Sequence, residues 1–115
     1  MDSLMQKLNR YRDIIEQLLT EIAAVPYAYG EIQDKTIFDR SADRYAVVSE
    51  GFDKDGRVHH IVVHIEIMNG KVWLQADNTD RVVARELEEA GIPKSDIVIG
   101  FRPPHIRSLL DYAAA

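Results

Sequence analysis

Two glycine-containing turns constrain this chain more than any other feature. Asp55-Gly56 and Asn69-Gly70 each separate runs in which apolar residues alternate. Such dipeptides favour two-residue hairpin loops, because both central positions need positive φ. Taken as a loop, Asn69-Gly70 pairs Met68 with Lys71, and so sets Ile67 opposite Val72, Ile65 opposite Leu74 and Val63 opposite Ala76. The same arithmetic across Asp55-Gly56 sets Val48 opposite Val63 and Ala46 opposite Ile65. One sheet face is then apolar, with Ile61, Val63, Ile65, Ile67, Val72 and Leu74 turned inward. The other collects Tyr45, Val47, His60, Val62, His64, Glu66, Trp73, Gln75 and Asp77. A one-residue slip would mix the two sets.

Helices bracket this region. Residues 3–25 place Leu4, Leu8, Tyr11, Ile15, Leu18, Ile22 and Val25 on a single stripe, Ser3 and Gln6 have capping-box spacing, and Pro26 stops the helix. Strands are expected near residues 34–39, 43–53, 57–68 and 71–77. Residues 27–30 read as an ordered turn. Residues 80–90 read as a second helix with Val82, Val83, Leu87 and Ala90 inward, Asn78 or Thr79 as N-cap, and Gly91 as its end. Residues 97–101 form a short apolar strand, and Pro103-Pro104 leads into a final short helix carrying Ile106, Leu109, Leu110 and Tyr112. The expected class is α+β: a long N-terminal helix packed on a four-stranded antiparallel meander, then helix, short strand and C-terminal helix. At 115 residues the chain fits one domain, residues 1–115.

Charge and composition narrow the function. The net charge of −5 disfavours autonomous nucleic-acid binding, which depends on Lys and Arg neutralising phosphates. Cysteine is absent, so thiolate metal sites, thiol nucleophiles and disulfides are excluded. The N-terminal stretch is charged throughout rather than apolar, which points to a soluble cytosolic protein.

Chemistry-bearing residues gather on the polar sheet face. His60, His64, Glu66 and Asp77 are ligand types for a divalent metal. Four strand residues span roughly 13 Å, however, too far for two imidazoles on one ion. His64 with Glu66 or Asp77 could serve acid–base chemistry, but no pocket motif accompanies them. Ser3, Ser41 and Ser95 lie in cap or turn contexts, and the glycines form neither a GxGxxG nor a P-loop. No cofactor is therefore expected. What stands out is a mixture of aromatic and polar side chains suited to an interface, with Tyr45, His64, Glu66, Trp73, Gln75, Phe101 and Arg107 as the candidate interaction surface.

Ordered sequence pieces run through most of the chain. They are Tyr11, Arg12 and Ile15; Pro26, Tyr27, Tyr29 and Gly30; Phe38-Asp39; His64-Ile65; the GKVWLQ run at residues 70–75; Asp77 and Thr79; Glu86-Leu87; the GIPKSDIVIGF block at residues 91–101; and Pro104 with Arg107. In this order and spacing the chain resembles the XisI family, controlling factors for excision of the fdxN element during heterocyst differentiation in cyanobacteria. Asp80 and Leu110 depart from the pattern, where Glu and Thr are expected. The resemblance implies a non-enzymatic accessory role, acting with an XisH-like, nuclease-related protein or as a homo-oligomer, and reaching DNA only through a complex. The competing reading is a small hydrolase using His64, Glu66 and Asp77.

Overall fold

The computed structural model describes residues 3–26 and 31–115. Its first element is α1, Leu4–Ala23. Ser3 closes the expected capping box: the Gln6 amide donates to Ser3 Oγ at 3.1 Å, and the Ser3 amide donates to Gln6 Oε1 at 2.8 Å. The buried stripe is Tyr11, Ile15, Leu18, Leu19 and Ile22. Leu4 and Val25, assigned to that stripe from the sequence, are exposed at its two ends, Val25 lying past the last helical turn. The anticipated turn at residues 27–30 lies outside the described residues.

The strands are β1 (Glu31–Asp39), β2 (Arg44–Asp53), β3 (Gly56–Met68) and β4 (Lys71–Asp77), followed by α2 (Val83–Ala90), a 3-10 turn at Lys94–Asp96, β5 (Ile97–Ile99) and α3 (Pro104–Arg107). The sheet is five-stranded in the order β1-β2-β3-β4-β5. The first four strands form the expected antiparallel meander, but β5 runs parallel to β4, so the sheet is mixed. The chain leaves β4, crosses the inner face as α2, and returns along β4's free edge; a parallel pair requires such a crossover.

Two β-bulges revise the expected register. Asp53 pairs with Gly56, so the first loop is Lys54-Asp55, stabilised by the Asp55 amide donating to the Asp53 carboxylate at 2.8 Å. Further along, Val47 pairs with Val63 while Val48 pairs with Ile61, leaving Val62 as an extra residue in β3. Beyond it the pairing becomes Tyr45 with Ile65 and Ala46 with His64. One inserted residue reverses the face assignment of everything past it. Tyr45 and Val47, expected on the polar face, are core residues 1% and 0% exposed, whereas Ile61 turns outward at 40%. A second bulge leaves Gln75 unpaired in β4, so Ala76 meets His64 and Asp77 meets Val63.

The core lies between the inner sheet face and the two long helices, and is built from Ile15 and Leu19 of α1, Val63, Ile65, Val72 and Leu74 of the sheet, and Val83 and Leu87 of α2. Each such side chain contributes about 1.5–3 kcal/mol on burial. Helix α2 starts later than the sequence suggests. Asn78 and Thr79 are not its N-cap, and Val82 is exposed. Helix α3 is a single turn; Leu109 and Leu110 lie beyond it, exposed, as the chain swings back so that the Ala113 amide donates to Ile97 O at 2.9 Å. Among the described residues, no helix is long and apolar enough to cross a membrane.

Candidate functional site

Helices α1 and α2 cover one face of the sheet. On the other, the pairing aligns Ile37, Ala46 and His64 in one row and Lys35, Val48 and Ile61 in the next, with Phe52 and Arg57 at the hairpin end. Ile37, Phe52 and Ile61 are 59%, 57% and 40% exposed, around a Val48 that is itself buried. Among the described residues, only the segment after β5 lies over this face, and it does so at β4, where the Arg107 guanidinium sits 5.0 Å from the Trp73 ring centre.

The predicted site residues separate across the sheet. His64, Glu66 and Trp73 are on the uncovered face, with His64 Nε2 3.3 Å from Glu66 Oε1 and Arg44 Nε 3.7 Å from Glu66 Oε2. Tyr45 is on the other side, in the core, with its hydroxyl donating to Asp43 at 3.1 Å. Gln75 occupies the β4 bulge against Gly100, where a Cβ would stand 2.4 Å from Gln75 Oε1. Phe101 is 44% exposed with Arg102 stacked on it at 5.3 Å. His60 and His64 were expected on one side of β3. The Val62 bulge between them puts them on opposite faces, which removes any shared ion more firmly than strand spacing did.

Asp77 is committed elsewhere. One oxygen accepts from the Thr79 amide at 3.1 Å and the Thr79 hydroxyl at 2.6 Å, and the other accepts from the Val83 amide at 3.0 Å, which opens α2. This carboxylate is the helix cap that the sequence assigned to Asn78 or Thr79. Among the described residues, no three His, Asp or Glu side chains are grouped to hold a metal ion.

Among the described residues, the buried side-chain polar atoms without a hydrogen-bond partner lie at the Arg107–Trp73 contact. Trp73 Nε1 and Arg107 Nε and Nη1 are shielded from solvent with no acceptor in reach. Each unsatisfied buried donor costs roughly 1–3 kcal/mol. A cation–π stack contributes only about 0.5–2 kcal/mol, so the contact is not stabilising on its own account. The sequence named both residues but not their meeting. It also missed Ile37, Phe52 and Ile61; the signal available was the unbroken Ile61-Val62-Val63 run, which interrupts the alternation and marks a bulge.

A model of the family described as XisI protein matches residues 5–114. The chain belongs to the XisI family. Two solved structures from Anabaena variabilis ATCC 29413 are similar to it. An XisI-like protein is 33% identical, with 94% of this chain and 99% of that chain covered and a TM-score of 0.87. The fdxN element excision controlling factor XisI is 34% identical, with 95% of this chain and 99% of that one covered and a TM-score of 0.80. No curated protein matches the chain.

Most of the sequence pieces that resemble the XisI family serve the fold. The Tyr11 hydroxyl donates to Asp96, which Lys7 also meets at 2.7 Å, tying α1 to the turn before β5. Arg12 donates twice to Asp43, at 2.7 and 3.0 Å, tying α1 to the β1–β2 turn. That fork holds the Asp43 carboxyl below its ordinary range, the Arg12 hydrogen bond being the largest cause, with the Tyr45 hydroxyl adding to it. Burial and its bond to Asp43 push the Tyr45 phenol upward. Gly91 ends α2 at φ +120°. Trp73 and Arg107 have no such structural duty; they end on one another.

Proposed function

We propose that this chain is a non-enzymatic accessory factor that binds another protein, an XisH-like nuclease-related partner, in the developmentally timed excision of a DNA element in the cytosol of a heterocyst-forming cyanobacterium. The observation that carries the reading is the uncovered sheet face. Ile37, Phe52 and Ile61 stay in water around Val48, while on the opposite face Tyr45, Val47, Val63, Ile65, Val72 and Leu74 are buried in the core. Exposed apolar groups rimmed by charges such as Lys35, Glu50 and Arg57 are the composition of a protein interface. Family membership supports the excision setting, since one similar protein is described as an excision controlling factor. The hydrolase alternative is less well supported: His64 and Glu66 are neighbours, but Asp77's oxygens are taken up by Thr79 and Val83.

Co-expression with an XisH-like protein tests the reading. The two should co-purify, and Ile61→Glu should weaken the assembly by about 2 kcal/mol or more, as expected for a charge placed at the centre of an interface, with the circular dichroism of the variant unchanged. A chain that fails to co-purify, or an Ile61→Glu variant that assembles as well as the parent, defeats it.

A further inference from the structure

We propose that Arg107, seated on Trp73, is a receptor for one carboxylate side chain of a partner protein, presented between apolar neighbours. The proposal rests on the protein-binding reading above and names the chemistry recognised. Stacking on the indole at 5.0 Å leaves the edge of the guanidinium as its hydrogen-bonding side. Arg107 Nε, which shares one edge with Nη2, and Nη1, on the neighbouring edge, have no acceptor, and the indole Nε1 of Trp73 has none either. The spacing of a guanidinium fork matches the two oxygens of a carboxylate. Turning Arg107 outward therefore breaks no hydrogen bond made by those nitrogens, and only part of the stack is lost.

The charge around the site selects the ligand. Arg102 stacks on Phe101, and neither Arg102, His105 nor Arg107 meets a carboxylate among the described residues, although the chain carries a net charge of −5. The segment is a local cationic surface on an acidic molecule. Glu66 stands directly opposite Trp73 across β3 and β4, its charge partly offset by Arg44 at 3.7 Å, so it opposes a run of negative charge such as a nucleic-acid backbone far more than a lone carboxylate. Phe101 and Leu109 of the same segment, 44% and 79% exposed, are available for apolar contacts.

The chain has one tryptophan, so its indole N–H gives a single nuclear magnetic resonance signal that reports on the site. The full-length protein is titrated with the capped peptide acetyl-Leu-Glu-Leu-Leu-amide, with its Gln counterpart, and with inorganic phosphate. The Trp73 signal should move saturably with the Glu peptide, at an affinity at least about tenfold above that for the Gln peptide, the margin expected of charge-assisted hydrogen bonds. Arg107→Lys keeps the charge but removes the fork, and should weaken the Glu peptide by at least about tenfold while the other resonances stay in place. Equal responses to the two peptides, saturation by phosphate at lower concentration than by the Glu peptide, or an unaffected Arg107→Lys variant overturns the proposal. Co-purification that persists without a Glu-dependent shift overturns the receptor alone. A Glu-dependent shift without co-purification supports the receptor and removes the partner reading.

Discussion

Asp43 shows how much a single side chain carries here. It occupies the β1–β2 turn at φ +55°, a backbone conformation that Asp and Asn tolerate better than other side chains, and it receives both Arg12 and Tyr45. A carboxyl held below its ordinary 3.8 by these bonds is more acidic folded than unfolded. Its contribution is complete above the unfolded value and disappears as pH falls through the folded one. Asp43→Asn suits the backbone equally well and removes the charge. At neutral pH it should cost about 1.5–3 kcal/mol, the range for a hydrogen bond to a charged group. Urea unfolding of parent and variant between pH 7 and pH 2 checks this: the gap should narrow as pH drops below about 4. A gap that stays constant across the range assigns the effect to packing instead.

At the scale of elements, the β1–β2 pairing depends on one glycine. Gly51 lies opposite Ile32 at φ +150°, and a Cβ there would stand 1.8 Å from the Glu31 carbonyl oxygen. Backbone, unlike a flexible side chain, has nowhere to yield. Gly51→Ala should destabilise by about 1–3 kcal/mol and, in amide hydrogen exchange, release residues 31–34 while leaving residues 36–39 protected. Uniform protection along β1 in the variant refutes that. The existence and order of β1 to β4, the capping box and the Asn69-Gly70 turn were legible in the sequence because each is a local signal. The bulge at Gln75 was not, and the one at Val62 left only the broken alternation of Ile61-Val62-Val63 as its trace: a bulge changes which partner a residue meets without changing the residue's own propensity. Tyr45 was misplaced for that reason, and with it part of the candidate surface. The parallel placement of β5 depends on where α2 docks, a tertiary outcome. Trp73 and Arg107 were each legible as surface candidates, but their contact requires the chain's return after β5.

At the scale of the whole molecule, the net charge of −5 is distributed so that most of the cations seen here are already engaged. Lys7 meets Asp96, Arg12 meets Asp43, Arg40 meets Asp13 and Glu16, Lys35 meets Glu50, Arg81 meets Glu86, and Lys94 meets Asp111. Duplex affinity comes from cations that exchange condensed counterions for phosphate contacts. A cation paired with its own carboxylate has to give up that pair first, and the surrounding acidic field opposes the approach. Lys54, Arg85, Arg102 and Arg107, which meet no carboxylate among the described residues, are too few to reverse the balance. The isolated chain should therefore show no submicromolar binding to duplex DNA at physiological salt. Any residual binding should have a shallow salt dependence, with a slope of about −2 in log K against log salt if only two phosphates are engaged. Fluorescence anisotropy over about 50–200 mM salt measures both quantities. The co-purified complex with a basic partner should bind far more tightly and with a steeper slope, since the partner then supplies the cations. Submicromolar affinity of the isolated chain, falling steeply as salt rises, would instead make this protein a DNA-binding factor in its own right, and the uncovered sheet face would need another explanation.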